Sequence, residues 1–443
     1  MSRNELADVD ASIIRLALPS LGALLAEPLL VAVDTTMIGR LPGTAPLAGL
    51  SLASTILTTL VGLCIFLTYA TTAATARAVG AGNKSQGYRY GIDGMWLAAG
   101  LGAFLGAVLY FGGPMIISWF GPDPAVSTQA VAYLHASSWG LPGMLIVLAA
   151  TGTLRGFADA RTPFKVATGG ALANIPINAL LIYVFGWGII GAGLGTALAQ
   201  TSMALVLIVI IARRARAEHT SLLASGAGVL GSLAQAIPLI IRTLSLRAAI
   251  LLLIAGASGL GTVALATNQI VMTVWNFMSY GLDSLATAAQ ILVGQALGLK
   301  QPKTVRHVLN RCMLWGLWVG IGLGVIVAGL SFVVPSIMTT DGDVQSLSRT
   351  VLWIASIAIP LASIAFMLDG ILIGAGDTNR LAWYMLATLA AFSPIAGIIL
   401  WNPQWFTQTS GMAVLWLGYG GVTMAVRAGT QFVRTRGTEW MHL

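Results

Sequence analysis

Predominantly apolar stretches of twenty or more residues recur along this chain about a dozen times. No water-soluble fold has enough interior to hide them. A helix rises about 1.5 Å per residue, so some 20 residues cross a hydrocarbon layer of about 30 Å. Stretches of that length fall at 12–40, 46–78, 90–113, 126–154, 163–187, 189–212, 229–258, 262–298, 307–334, 346–373, 381–401 and 410–433. With 57% hydrophobic and 9% charged residues, the composition is that of a polytopic integral membrane protein. The opening Met1–Asp10 is polar and carries acids before the first apolar run, unlike a cleaved signal peptide, so the first helix is expected to be retained. Cys64 and Cys312 both lie in apolar stretches, which points to small core residues and to neither a disulfide framework nor a thiolate metal site. The net charge of +8 is not gathered into a long basic run, and no nucleic-acid partner is expected.

The cations test the helix count, because Lys and Arg collect in short cytoplasmic loops. With twelve spans and both termini in the cytoplasm, Arg3, Arg15, Arg77, Lys84, Arg89, Arg155, Arg161, Lys165, Arg213, Arg214 and Arg216 fall on the inner side. So do Lys300, Lys303, Arg306, Arg311, Arg380, Arg427, Arg434 and Arg436. Of the 23 cations, only Arg40 and Arg349 fall near outer loops, and only Arg242 and Arg247 fall within the seventh helix. A wrong count would scramble this asymmetry. The expected location is the cytoplasmic (inner) membrane.

The chain is also internally duplicated. Leu154-Arg-Gly156-Phe-Ala-Asp159 and Leu372-Ile-Gly374-Ala-Gly-Asp377 match at an offset of 218, Gly80 and Gly294 at 214, and Pro19 and Pro238 at 219. The sequence thus predicts an all-α integral membrane protein with twelve transmembrane helices in two pseudo-symmetric six-helix lobes, residues 1–213 and 229–443, joined by a polar cytoplasmic linker at 214–228. Two parallel repeats of this kind favour alternating access by rocking of one lobe against the other.

Ionisable and amide residues within the spans mark the candidate site. Asp34 sits in Leu29-Leu-Val-Ala-Val-Asp34-Thr-Thr-Met-Ile-Gly39, and a carboxylate at hydrocarbon depth costs roughly 2.5–3.5 kcal/mol on insertion scales. Such groups line a water-filled path or carry an ion, unless they lie near enough to a helix end to reach headgroups. Asn174 and Asn178 are four apart on one face of the fifth helix, with Pro176 between them to kink it and free a carbonyl. They could hold a carboxyl, its proton or a cation; interhelical hydrogen bonding is the equal alternative. Glu27, seven residues before Asp34, is either a second station or a cap on the Pro28 kink. In the second half, Arg242, Arg247, Asn276, Asp283 and Asp369 form a possible polar network in which opposite charges pair. It could act as a gate or as a structural cluster. His135 has no carboxylate beside it and is expected to pack. No Walker loop, His-Glu-x-x-His or dinucleotide fingerprint occurs, so no enzymatic activity or cofactor is expected and energy must come from an ion gradient.

Taken in order, Val33-Asp34-Thr35, Thr71–Asn83, Ala264-Leu-Ala-Thr-Asn268-Gln269-Ile270, Tyr280-Gly-Leu-Asp283 and Leu368-Asp369-Gly370 resemble the multidrug and toxic compound extrusion (MATE) transporters, and the first is most similar to the DinF-type branch. The resemblance covers essentially the whole chain. It implies a two-lobe antiporter that expels amphipathic or cationic lipophilic compounds in exchange for protons or sodium. Asp34 then matches the carboxylate of the family's cation site, and Asn174 an asparagine of that site. Asn178 departs from the pattern, because many relatives carry an aspartate there. The seventh helix lacks the glutamate of sodium-coupled NorM-type members and offers arginines instead, which favours protons over sodium. The chain is expected to work as a monomer in the bilayer. The alternative function is a flippase for a lipid-linked precursor, which needs a cationic cavity that only Arg242 and Arg247 could supply.

Overall fold

The computed structural model describes residues 3–441, apart from the side chains of residues 3–7, 27, 227–232 and 235. The first half runs α1 (Arg3–Ile38), α2 (Ala45–Leu63), α3 (Phe66–Gly80), α4 (Lys84–Ser118), α5 (Pro124–Ser138), α6 (Leu141–Gly156), α7 (Arg161–Ala179), a π-turn (Leu180–Val184) and α8 (Gly188–Ala217). The second half runs α9 (Gly226–Gly259), α10 (Thr262–Gly298), α11 (Pro302–Leu330), the short α12 (Val334–Met338), α13 (Gly342–Ala375), α14 (Thr378–Trp401), α15 (Gln408–Trp416), a second π-turn (Leu417–Val422) and α16 (Thr423–Arg436).

Among the described residues, ten helical segments are long and apolar enough to cross a membrane, and the bent pair α5–α6 makes an eleventh. The remaining predicted span, α10, is long enough at 37 residues but is interrupted by Asn268, Gln269, Asn276, Asp283 and Gln290. Two spans expected to be continuous are broken. The second gives way to a turn at Cys64 and Ile65, and the fourth bends by 52° between Ser138 and Leu141. Pro142 removes a backbone donor just after that bend. Gly140 lies so close to α8 that a Cβ there would come within 2.6 Å of the Ala197 Cα.

Residues Leu18–Ala236 form one compact unit, and Met1–Ala17 with Ile237–Leu443 form the other. In the latter, Arg311 Nε donates to Asp10 Oδ1 at 3.0 Å and Trp315 Nε1 donates to the same oxygen at 2.8 Å, which ties the start of α1 to α11.

The duplication is written into the packing of each unit. In the first, a Cβ on Gly152 would meet Thr71 Oγ1 at 2.0 Å and the Thr68 carbonyl at 2.5 Å, and one on Gly156 would meet Thr75 Cβ at 2.6 Å. In the second, the same positions are Gly370, 2.2 Å from the Ala286 carbonyl, and Gly374, 2.5 Å from that of Gln290. Gly102 faces the Pro142 Cα at 2.5 Å and Gly106 the Ser138 carbonyl at 2.9 Å; Gly320 faces the Pro360 Cα at 3.0 Å and Gly324 the Ser356 carbonyl at 2.8 Å. All of these partners on α4, α5, α6, α11 and α13 recur at the single offset of 218. Without a hydrophobic drive between helices in lipid, such small-residue seams let backbones approach and supply the dispersion that holds a bundle together. Gly370→Val, forced against the Ala286 backbone, is therefore expected to lower the melting temperature in detergent sharply. Gly100→Val on α4, which points into open space, should leave it unchanged.

The repeated Gly-x-x-Asp turns also do the same work twice. Asp159 accepts from the Thr162 backbone N at 3.0 Å, from Thr162 Oγ1 at 2.7 Å and from Arg214 Nη1 near the end of α8 at 2.9 Å. Asp377 accepts from Arg434 Nε near the end of α16 at 2.7 Å. Burial pushes the Asp159 carboxyl up, but Thr162 and Arg214 together outweigh it and hold the group below the usual carboxylate range.

Candidate functional site

Asp34 lies near the end of α1, only 7% exposed, where α7 and α8 close over it. Asn178 Nδ2 donates to Asp34 Oδ1 at 2.6 Å and to Asn174 Oδ1 at 3.0 Å, so Asn178 holds the carboxylate directly and Asn174, four residues earlier on α7, is linked to it through Asn178. Thr196 Oγ1 on α8 donates to Asp34 Oδ2 at 3.4 Å. The buried Tyr133 hydroxyl of α5 is within electrostatic reach. All these partners are neutral, and among the described residues no cation pairs with Asp34. The neighbouring Thr35 and Thr36 hydroxyls donate to their own helix, to the Val31 and Ala32 carbonyls at 2.7 and 2.8 Å, and take no part.

Local backbone chemistry sets up this arrangement. Pro176 lies inside α7, between the two asparagines, and costs the helix one hydrogen bond. Two residues after Asn178 the helix widens into the π-turn, with Phe185 N donating to the Leu180 carbonyl at 2.9 Å. π-turns of this kind concentrate at functional sites. Here the turn presents Tyr183, whose hydroxyl donates to the Met37 carbonyl at 2.7 Å and so pins the end of α1 three residues beyond Asp34. On the other side Gly195 leaves room for Asn178: a Cβ there would sit 1.7 Å from Asn178 Oδ1. That oxygen is buried and accepts no hydrogen bond among the described residues. Thr196, Gly195 and Tyr183 carry no distinctive sequence signal. One threonine among many, a glycine in a glycine-rich helix and a tyrosine at a span end look ordinary until they are placed.

The side chain of Glu27 lies outside the described residues. In the second unit, Asp369 on α13 accepts from Arg242 Nη2 at 2.6 Å, and also from Arg427 Nη2 and Gln431 Nε2 on α16. Arg427 also covers the Phe366 ring at 4.7 Å. Arg242 and Asp369 are thus paired as opposite intramembrane charges. Asp283 is half-buried, and the side chains of Arg247 and Asn276 are exposed. Arg427 and Gln431 are members of this cluster that the sequence did not single out. His135 stacks on Tyr110 at 4.6 Å. Among the described residues, no group of three or more His, Cys, Asp or Glu side chains is arranged to hold a metal ion.

The duplication does not repeat the site. At offsets of 218 to 220, the positions of Asp34, Asn174, Asn178 and Thr196 are taken by Leu253, Phe392, Ala396 and Trp416, all fully buried in one apolar core, although Pro176 still has its counterpart in Pro394.

A duplicated bundle of membrane-spanning helices, with a carboxylate enclosed by neutral partners in one half, defines a polytopic membrane transporter. The chain belongs to the MATE family: the MatE profile matches residues 19–180 and again 238–399, the two matches starting at Pro19 and Pro238. Members of this family are efflux transporters and not enzymes. The chain is similar to DNA damage-inducible protein F of Escherichia coli, at 26% identity over 97% of this chain and 95% of that protein. It is also similar to the chloroplastic Protein DETOXIFICATION 44 of Arabidopsis thaliana, at 26% identity over 98% of this chain and 84% of that one. Among solved structures, the Vibrio cholerae MATE transporter VcmN in its bent form shares the fold, with a TM-score of 0.87 at 18% identity over 99% of this chain and all of the other.

Proposed function

We propose that this protein is a secondary antiporter of the inner membrane, with both termini in the cytoplasm, that exports amphipathic small molecules and takes up protons through Asp34. The observation that carries this reading is the enclosure of one buried carboxylate by an amide and a hydroxyl and, among the described residues, by no cation. Such partners suit both protonation states. The charged carboxylate accepts from Asn178 and Thr196, and the neutral acid can return its O–H to an oxygen of the same groups. A proton arriving from the outer side then changes how α1 is held by α7 and α8, the substrate leaves outward, and release of the proton toward the cytoplasm resets the cycle as a monomer. Sodium suits the pocket less well. It requires a cage of oxygens, whereas Asn178 turns its Nδ2 toward Asp34.

The test is ion movement itself. Vesicles containing the purified protein, loaded with a lipophilic substrate and diluted into substrate-free buffer, should take up protons as substrate leaves, with the same amplitude in sodium-free medium. A response that requires sodium and moves no protons overturns the reading.

A further inference from the structure

A groove of about 430 Å³ opens in the first unit between α4, α5 and α8, on the flank of α5 that turns away from Asp34. Tyr133, within electrostatic reach of Asp34, and His135 are two residues apart on α5, which places them about 200° apart around the helix. His135 lines the groove with Tyr110, Trp139, Ile190 and Leu194, and among the described residues no Asp, Glu, Lys or Arg does so. Backbone contacts fix its walls. A Cβ on Gly106 of α4 would meet the Ser138 carbonyl of α5 at 2.9 Å, and one on Gly193 of α8 would meet the Ala136 Cβ of α5 at 2.7 Å. The imidazole stacks on Tyr110 at 4.6 Å and 28°, and Trp139 meets Tyr110 edge-on at 6.1 Å and 74°, so two aromatic planes form a corner. Among the described residues, His135 Nε2 is shut off from water and takes no hydrogen bond. An N–H at that atom would be a buried donor without an acceptor, so the ring's proton belongs on Nδ1 and its acceptor must come from the groove. Exposed Trp119 and Phe120 at the end of α4, with Phe185 and Trp187 before α8, form an aromatic belt of the kind that marks the edge of the hydrocarbon layer. Tyr110 lies nine residues, about 13 Å, inward of Trp119, and Leu194 seven residues, about 10 Å, inward of Trp187. The groove therefore opens inside the hydrocarbon, below the level of lipid headgroups.

We infer that this groove is a binding site for an uncharged, lipid-dissolved molecule that carries a carbonyl on a flat ring. Each part of that class answers an observation. No ionised Asp, Glu, Lys or Arg lines the groove, so an ion entering it would give up its water for no counter-ion. The imidazole N–H requires an acceptor, and a carbonyl accepts without bringing a proton of its own that hydrocarbon would leave unpaired. The corner of Tyr110 and Trp139 suits a planar ring, stacked on one face and met by the edge of the other. The volume is that of a small-molecule site, and the glycine contacts set its walls before any ligand arrives. Such a molecule comes through the bilayer, on the opposite flank of α5 from the carboxylate. The site thus stands apart from the proposed proton path, and its occupation needs no gradient.

The experiment uses tritiated 9-fluorenone, a flat ring ketone, and fluorene, the same ring frame without the carbonyl. Saturable binding to the full chain in phosphatidylcholine nanodiscs is measured for the wild type and for His135→Phe, His135→Gln, Trp139→Ala and Asp34→Asn, each probe referred to its partition into protein-free discs. The wild type should bind fluorenone at least about fivefold more tightly than fluorene. His135→Phe should remove that preference and leave fluorene binding as it was, while His135→Gln, which keeps an N–H donor, retains part of it. Trp139→Ala should weaken both probes alike, and Asp34→Asn should change neither. The inference is overturned if the wild type binds the two probes equally or shows no saturable binding, or if His135→Phe keeps the preference for fluorenone. Repeating the series in ether-linked phosphatidylcholine removes the lipid ester carbonyls as competing acceptors. Fluorenone binding that is found only there would assign the groove to a glycerolipid ester and equally overturn the inference.

Discussion

Asp34→Asn should abolish gradient-driven accumulation while leaving the protein folded and able to bind substrate. In vesicles with an imposed pH gradient, the ratio of substrate accumulated with the gradient to that without it is expected to fall to about one. The substitution preserves volume, and its carbonyl oxygen can still accept from Asn178 Nδ2 where Asp34 Oδ1 now does, at 2.6 Å. What it removes is the ability to gain and lose a proton, and a ligand shifts a two-state equilibrium only by binding the two states differently. Position 178 is an asparagine, α7 carries no carboxylate, and among the described residues none lies beside Asp34 to take over. Undiminished accumulation in this variant overturns the proposed coupling.

The second large effect is one of stability. Asp369→Ala leaves the guanidinium groups of Arg242 and Arg427 buried, at 7% and 2% exposure, without their shared carboxylate. Removing one partner of a buried ion pair costs about 3–5 kcal/mol, because the desolvated charge that stays behind has nothing to replace water. Folded yield in detergent should drop severely. The triple variant Asp369→Leu with Arg242→Met and Arg427→Met, which removes all three charges of the cluster, should recover a good part of it. A thermal-unfolding series comparing the two with the wild type checks this. Equal stability of Asp369→Ala and the wild type would show that the cluster is solvated.

The membrane architecture was legible because the bilayer imposes it. Apolar run length and a repeat offset of 218 are long-range regularities that no local packing detail disturbs. The breaks inside the second and fourth spans were not legible. At the bend of the fourth span Gly140 lies against the Ala197 Cα, an approach that only the neighbouring helix decides. At the candidate site, Asp34, Asn174 and Asn178 stood out as polar groups at helical spacing in apolar surroundings. Thr196 and Gly195 did not, since a hydroxyl or a missing Cβ gains meaning only from what lies opposite. Arg427 was not read as a partner of Asp369 for a related reason. It precedes Arg434 and Arg436, so it reads as part of an inner-edge cluster, but α16 runs unbroken to Arg436 and carries Arg427 into the protein.

The apolar occupants of the second unit's counterpart positions, Leu253, Phe392, Ala396 and Trp416, bear on the thermodynamic reach of the pump. If coupling runs through Asp34 alone, as proposed, with no duplicate of that site in the other half, the cycle carries one proton per turnover. For an electrically silent exchange at that stoichiometry, each pH unit across the membrane sustains at most about a tenfold concentration ratio of cargo. Any steeper accumulation must draw on the membrane voltage, so the dependence of export on voltage is set by the charge of the cargo itself.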